Sequence, residues 1–81
     1  MAEAHPRPEE LEHWITSDES VRFGKPIVRG TRVTVEEVVG AVASGLTLAE
    51  VGEEFDIDPQ AVQAALRYAA QAASNERRWA Q

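Results

Sequence analysis

Four basic side chains stand within an eleven-residue stretch of this chain, and no acidic residue interrupts them. They are Arg22, Lys25, Arg29 and Arg32, in a chain whose net charge is −6. Guanidinium and ammonium groups at this density can bind phosphate or the carboxylates of another protein. They can also form a solvated face held by weak surface ion pairs. We take Lys25, Arg29 and Arg32 as the first candidates for contact with a partner or with DNA.

The charge of the chain changes sign along its length. Residues 1–21 contain six acidic residues and one basic residue, residues 22–32 contain the four cations, and residues 47–68 contain five acidic residues and one basic residue. An acidic surface repels phosphate, so contact with nucleic acid would be confined to a local patch. A partner protein is the alternative ligand.

The length of 81 residues fits one small domain. We expect residues 1–12 to form a flexible arm, because they contain two prolines and five charges, and residues 13–81 to form the domain. The lack of cysteine excludes disulfides and thiolate metal sites, and no apolar run is long enough to span a bilayer. We therefore expect a cytoplasmic protein without a membrane partner. A core this small favours association, so a homodimer is expected.

The first half of the domain is expected to contain short strands. Residues 13–17 include aromatic and β-branched side chains, and residues 26–28 and 32–34 have strand-like composition on either side of a glycine turn. These strands could pair within one chain or between two chains. The residues expected to shape the turns are Gly24, Pro26, Gly30 and Thr31.

Three helices are expected after the strands. Thr34 and Thr47 each begin a capping box, and Gly45 is placed to end the first helix. The first helix has an apolar face of Val35, Val38, Val39 and Val42. The second helix is expected to bury Leu48, Val51 and Phe55, and its Gly52 indicates that another helix passes close by.

The third helix is expected to start at Asp58 and Pro59, which form an N-cap and first-turn pair. Its two apolar stripes are Val62, Leu66, Ala69 and Ala73, and beside them Ala61, Ala65, Tyr68 and Ala72. The short link before it is typical of a helix-turn-helix. The predicted fold is therefore mainly α with a small β element: short N-terminal strands followed by a three-helix, helix-turn-helix-like (homeodomain-like) bundle.

The helix pair could read DNA or could be purely structural. The outward residues near the start of the third helix are expected to be Gln60, Gln63, Ala64 and Arg67, and glutamine and arginine are base-reading side chains. However, four acidic residues occupy the helix and turn that would pass near phosphate: Glu50, Glu53, Glu54 and Asp56. A structural helix pair is the favoured interpretation.

Enzyme chemistry finds little support in the residue pattern. His5 and His13 do not stand at metal-ligand spacing, and adjacent carboxylates such as Glu36 and Glu37 are explained by capping and solvation. We predict no catalytic residue, no cofactor and no metal site.

The motif of residues 24–35, Gly-Lys-Pro-Ile-Val-Arg-Gly-Thr-Arg-Val-Thr-Val, resembles that of domain-of-unknown-function family 433. The likeness extends over about residues 13–70 and includes Gly45-Leu46-Thr47 and the pattern from Val62 to Ala69. The resemblance implies a small, dimeric, helix-turn-helix-like antitoxin that binds a toxin with a PIN-like ribonuclease fold, with operator DNA as a further ligand. The alternative is a protein-interaction module whose degenerate helix-turn-helix does not bind DNA.

Overall fold

The structure is a computed structural model that describes residues 10–77, with side chains described as far as residue 75. Within that range the chain forms four α-helices and one small sheet, which confirms the predicted mainly α fold. The elements are α1 (Leu11–Trp14), β1 (Ile15–Thr16), β2 (Ile27–Val28), α2 (Val35–Ala43), α3 (Leu48–Phe55) and α4 (Pro59–Arg77). None of the described helices is both long enough and apolar enough to cross a membrane.

The two strands form an antiparallel pair within one chain, with Ile15 opposite Val28 and Thr16 opposite Ile27. The strand expected over residues 13–17 is shorter than predicted, because His13 and Trp14 belong to α1. The segment at 32–34 contributes only an isolated bridge between Thr34 and Ile27. The sheet therefore has two residues in each strand, and it joins the start of the domain to the segment before α2.

The helices α2 and α3 start where the capping boxes place them. The Thr34 hydroxyl accepts a hydrogen bond from the backbone N–H of Glu37, and Thr47 does the same for Glu50. In both cases the glutamate side chain accepts a bond from the backbone N–H of its threonine, so two orphan donors of the first turn are satisfied. Helix α2 ends before Gly45, which takes a φ of 111°.

A tight turn joins α3 to α4 as a helix-turn-helix. Asp56 takes the left-handed conformation with φ 56° and ψ 49°, and the N–H of Ile57 donates to the carbonyl of Gly52 at 2.9 Å. The Asp58 carboxylate accepts from the N–H of Gln60 at 2.8 Å and caps α4. The group that approaches Gly52 is the turn itself together with Pro59, the first residue of α4.

The core lies where α2, α3 and α4 meet the sheet. Its fully buried side chains include Val38, Val51 and Val62. The valine face of α2 is confirmed, with Val39 and Val42 partly buried at its edge. Leu48 is less buried than predicted, since 37% of its surface is exposed.

The buried face of α4 differs from the prediction in two respects. Ala64, expected to face outward, is buried together with Ala61 and Ala65, because the α1 and β1 segment covers that side of the helix. Ala72 and Ala73, expected in the buried stripes, are exposed. The buried face therefore ends at Ala69, about three turns along the helix, and Leu66 lies at its margin, partly exposed and outside the core cluster.

The predicted boundary at residue 12 falls inside α1. Leu11 packs against the core and α1 lies against α4, so residues 11 and 12 belong to the folded part. Residues 1–9 of the expected arm lie outside the described residues.

Candidate functional site

A left-handed turn of three successive residues precedes the basic motif. Arg22, Phe23 and Gly24 have φ values of 52°, 61° and 80°. Glycine adopts this conformation freely, whereas each residue with a side chain loses about 1–2 kcal/mol. The N–H of Gly24 donates to the carbonyl of Val21 at 3.1 Å, and that of Lys25 donates to the carbonyl of Arg22 at 3.2 Å. These two bonds lie at the long end of the usual range and offset only part of that strain, so side chains elsewhere add to the stability of the turn.

The Arg22 guanidinium supplies that stabilisation. Its Nη1 donates to the carbonyl of Arg32 at 2.9 Å and to Oε1 of Glu37 at 3.1 Å. The same Glu37 oxygen accepts from the N–H of Thr34 at 2.9 Å and from the Thr34 hydroxyl at 3.1 Å. One carboxylate therefore joins the cap of α2 to the left-handed turn.

The bonds to Glu37 also change its titration. Its pKa lies below the ordinary value of 4.5, chiefly because the Thr34 N–H stabilises the charged carboxylate. Partial desolvation opposes the shift, while the Thr34 hydroxyl and the Arg22 charge add to it. The carboxylate thus stays charged at neutral pH and keeps its three donors.

Two of the three predicted contact cations have partners within the chain. Lys25 Nζ lies 3.0 Å from Oε1 of Glu36, in a pair whose side chains are both more than half exposed. The Arg29 guanidinium donates through Nε, at 3.1 Å, and through Nη2 to the carbonyl of Glu12, which joins the turn after β2 to α1. Both groups therefore have structural roles as well as exposed positions.

Arg32 differs from the other cations. Its side chain is exposed and makes neither a hydrogen bond nor an ion pair within residues 10–77. It borders an open depression of about 470 Å³, here called the arginine depression. The residues around this depression are Thr16, Ser17, Asp18, Val21, Ile27, Arg29, Gly30, Thr31 and Arg32.

The arginine depression also contains a carboxylate. Oδ1 of Asp18 accepts from the hydroxyl of Ser20 at 2.6 Å and from its N–H at 2.9 Å. The hydroxyl bond, followed by the N–H bond, lowers the pKa of Asp18, so the group is charged at neutral pH. A phosphate entering the depression would meet this negative charge, whereas a protein surface can match both signs.

The sequence matches a family model described as "Protein of unknown function (DUF433)" over residues 15–69, which span β1 to the middle of α4. The chain belongs to the DUF433 family. No curated protein matches it. The matched range includes the left-handed turn, the arginine depression and the helix-turn-helix.

A solved structure shares the fold of this DUF433 chain. The X-ray crystal structure of Rv2018 from Mycobacterium tuberculosis superposes with a TM-score of 0.60 and 27% sequence identity. The alignment covers 64% of this chain and 24% of that chain. The aligned part of this DUF433 chain therefore spans about a quarter of the other protein.

Several residues of the motif at 24–35 in this DUF433 chain have a backbone role, either through positive φ or through hydrogen bonds. Gly24 and Gly30 both have φ of 80°, and the carbonyl of Pro26 accepts from the N–H of Val35 at 3.0 Å. The Thr31 hydroxyl donates to the carbonyl of Val28 at 2.8 Å and accepts from the N–H of Val33 at 3.0 Å. Arg32, which ends the Gly-Thr-Arg motif, thus lies on a turn whose backbone is held by the hydrogen bonds of Thr31.

The residues predicted for base reading do not join this surface. Gln60, Gln63 and Arg67 are exposed on α4. Arg67 borders a separate hollow with Glu10 and Glu12. Exposed acidic residues surround the helix pair: Glu50, Glu53, Glu54, Asp56 and Asp58. The structure therefore places the two sets of predicted contact residues on different surfaces.

Sequence reasoning missed Phe23. This side chain is 97% exposed, in contrast to the other aromatic residues of the described chain, which are partly buried. The available signal was an aromatic residue between two basic residues, outside any helical or strand period. Its left-handed backbone could not be predicted, because phenylalanine rarely adopts positive φ.

An apolar groove runs between α2 and α4 of the DUF433 chain, with a volume of about 640 Å³. We call it the α2/α4 groove. It is lined by Pro26, Val35, Glu36, Val39, Gly40, Tyr68, Ala69, Ala72 and Ala73. Among the described residues, no group of three or more His, Cys, Asp or Glu side chains could hold a metal ion.

Proposed function

We propose that this chain is a non-enzymatic, antitoxin-like protein that acts by binding a partner protein. The observation that supports it is the exposed Arg32 side chain, which has no intramolecular partner within residues 10–77 and lies on a turn with a fixed backbone. A rigid turn lowers the entropy lost when an arginine is immobilised in a complex. The partner expected from the family resemblance is a toxin with a PIN-like ribonuclease fold, met in the cytoplasm.

The charges around Arg32 favour a protein as the ligand. Asp18 is ionised in the arginine depression, and Arg29 already donates to the carbonyl of Glu12. A phosphate backbone would be attracted by Arg32 and repelled by Asp18. A toxin surface that carries both a carboxylate for Arg32 and a donor for Asp18 matches the depression better.

In this proposal the helix-turn-helix has a structural role and does not need to bind DNA. Asp56 and Asp58 lie just before the start of α4, where a base-reading helix would approach the phosphates of the major groove. Repulsion between these carboxylates and phosphate offsets the bonds that Gln60 and Gln63 could form with bases. We therefore propose partner binding as the function and assign DNA no required part.

The first experiment compares the two ligands. We expect the purified protein to bind the product of the gene adjacent to its own, and to leave the DNA upstream of that gene pair unshifted in a gel at physiological salt. Arg67→Gln tests the DNA alternative, because it removes one exposed charge from α4 without touching the arginine depression. A salt-dependent gel shift that Arg67→Gln weakens, with no binding of the adjacent gene product, would refute the proposal.

A further inference from the structure

Phe23 combines two properties that are unfavourable for the free protein. The residue is 97% exposed, whereas the other aromatic residues of the described chain are partly buried. Its φ of 61° and ψ of 31° lie in the left-handed region, which a residue with a Cβ seldom adopts. An exposed phenyl ring contributes no hydrophobic stabilisation that would offset this strain. The stability of the free protein therefore does not explain Phe23.

The fold holds the left-handed turn in place despite its strain. The Arg22 guanidinium donates to the Arg32 carbonyl at 2.9 Å and to Oε1 of Glu37 at 3.1 Å. Residues kept in rare backbone conformations cluster at ligand-binding sites, where the surrounding structure fixes them for contact. A side chain on a fixed backbone also loses less entropy when a complex forms. These two arguments indicate that Phe23 contacts a ligand.

The left-handed turn adjoins the arginine depression. Val21, two residues before Phe23, lines the depression. The carbonyl that accepts from Arg22 belongs to Arg32, whose side chain borders the same depression. The turn and the depression are thus joined by a hydrogen bond, so a ligand that covers the depression also borders the turn.

We propose that Phe23 is an anchor residue for the same partner protein that binds Arg32, with its ring inserted into an apolar pocket beside the partner carboxylate. Phenylalanine and arginine are both enriched in the cores of protein interfaces. Transfer of the ring from water to such a pocket supplies the hydrophobic stabilisation that the free protein lacks. The inference deepens the proposed function, on which it rests, because it specifies a partner surface with an apolar pocket next to its carboxylate.

A nucleobase is the other class of ligand that an exposed aromatic residue can contact, by stacking on the ring. The charges near Phe23 disfavour such a ligand. Arg22 and Lys25 already pair with carboxylates of α2, and the ionised Asp18 in the arginine depression repels phosphate. A protein therefore fits this surface better than single-stranded nucleic acid does.

The test measures partner binding and stability together in variants that lack the ring. Phe23→Gly and Phe23→Asn both introduce a residue that tolerates positive φ, so neither adds strain to the turn. We expect the dissociation constant for the adjacent gene product, measured by calorimetric titration, to rise about tenfold or more in both variants. The urea concentration at the midpoint of unfolding should not fall in either variant.

Leu48→Ala is the matched control, because it removes the other large exposed hydrophobic side chain of the described residues and lies on α3. It should bind the adjacent gene product as the wild type does. Wild-type affinity in either Phe23 variant would overturn the inference, and the proposed function would stand if Arg32→Gln alone weakened binding.

The other outcomes are also decisive. A lower urea midpoint in both Phe23 variants would show that the ring has a structural role, and displacement of the partner by an excess of single-stranded oligonucleotide would favour base stacking. Either result would overturn the inference. A wild type that does not bind the adjacent gene product would refute the proposed function itself, and the inference with it.

Discussion

Gly52→Ala is expected to lower the free energy of unfolding by about 2 kcal/mol. A Cβ at this position would lie 2.8 Å from the carbonyl oxygen of Ile57 and 3.5 Å from the Pro59 ring. That oxygen belongs to the backbone of the turn between α3 and α4, which the left-handed Asp56 holds close to α3. The turn must therefore move, and the resulting strain exceeds the gain of about 1 kcal/mol that alanine brings to a helix interior.

Gly40→Ala is the matched control, because Gly40 also lies inside a helix. A Cβ there meets no atom within 4 Å, so the substitution should raise the free energy of unfolding by about 0.5–1 kcal/mol. Urea denaturation of wild type and both variants, at the same protein concentration, measures the two changes. Equal effects of the two substitutions would show that the close approach at Gly52 does not determine stability.

Glu37→Ala is expected to lower the free energy of unfolding by about 1–2 kcal/mol at neutral pH. The substitution removes the acceptor for the Thr34 N–H, the Thr34 hydroxyl and the Arg22 guanidinium. Thr34 is 2% exposed, so its N–H has little access to water in exchange. The left-handed turn loses one of the two bonds that the Arg22 guanidinium makes.

The loss of stability caused by Glu37→Ala should become smaller as the pH falls. Because folding lowers the pKa of Glu37, its charged form stabilises the protein above the ordinary value of 4.5, and this contribution is lost as the pH falls through the lower value of the folded state. The difference between wild type and Glu37→Ala should therefore shrink as the pH is lowered below 4.5.

Glu36→Ala is the control for Glu37→Ala. It removes the neighbouring carboxylate, whose ion pair with Lys25 is exposed, and should change stability by no more than about 0.5 kcal/mol. If Glu36→Ala and Glu37→Ala destabilised the protein equally, the three bonds at Glu37 would not be the cause.

Local sequence signals were sufficient for the helices. Thr34 and Thr47 with their glutamates, and Asp58 before Pro59, define helix starts through bonds within one turn of chain, so they are readable without the rest of the fold. The valine face of α2 follows from helical periodicity in the same way. The tolerance of Asp56 for the left-handed conformation is also a local property, and the structure has it there.

Features that depend on contacts between residues far apart in the sequence could not be predicted from it. The left-handed turn at Phe23 depends on Glu37, fourteen residues later in the chain, and nothing in the local sequence indicates that bond. The bond from Arg29 to the carbonyl of Glu12 likewise joins residues seventeen apart. Ala64 was assigned to the wrong face because the cover over α4 comes from α1 and β1, whose position is a tertiary property.

The basic segment is thus divided by its intramolecular bonds into structural and available cations. Arg22 holds the left-handed turn, Lys25 pairs with Glu36, and Arg29 joins the sheet to α1. Arg32 is the one of these four whose side chain has no such bond within the described residues.

The central test is a calorimetric titration of the adjacent gene product into wild type, Arg32→Gln and Arg67→Gln. Arg67→Gln is the control, because it also removes one positive charge but leaves Arg32 in place. We expect the Arg32→Gln dissociation constant to rise about thirtyfold or more, since truncating one member of an interfacial charge pair costs about 2 kcal/mol or more. Arg67→Gln should bind as the wild type does. Equal affinity of wild type and Arg32→Gln, with both variants folded, would contradict the assignment of the arginine depression as the partner-binding surface.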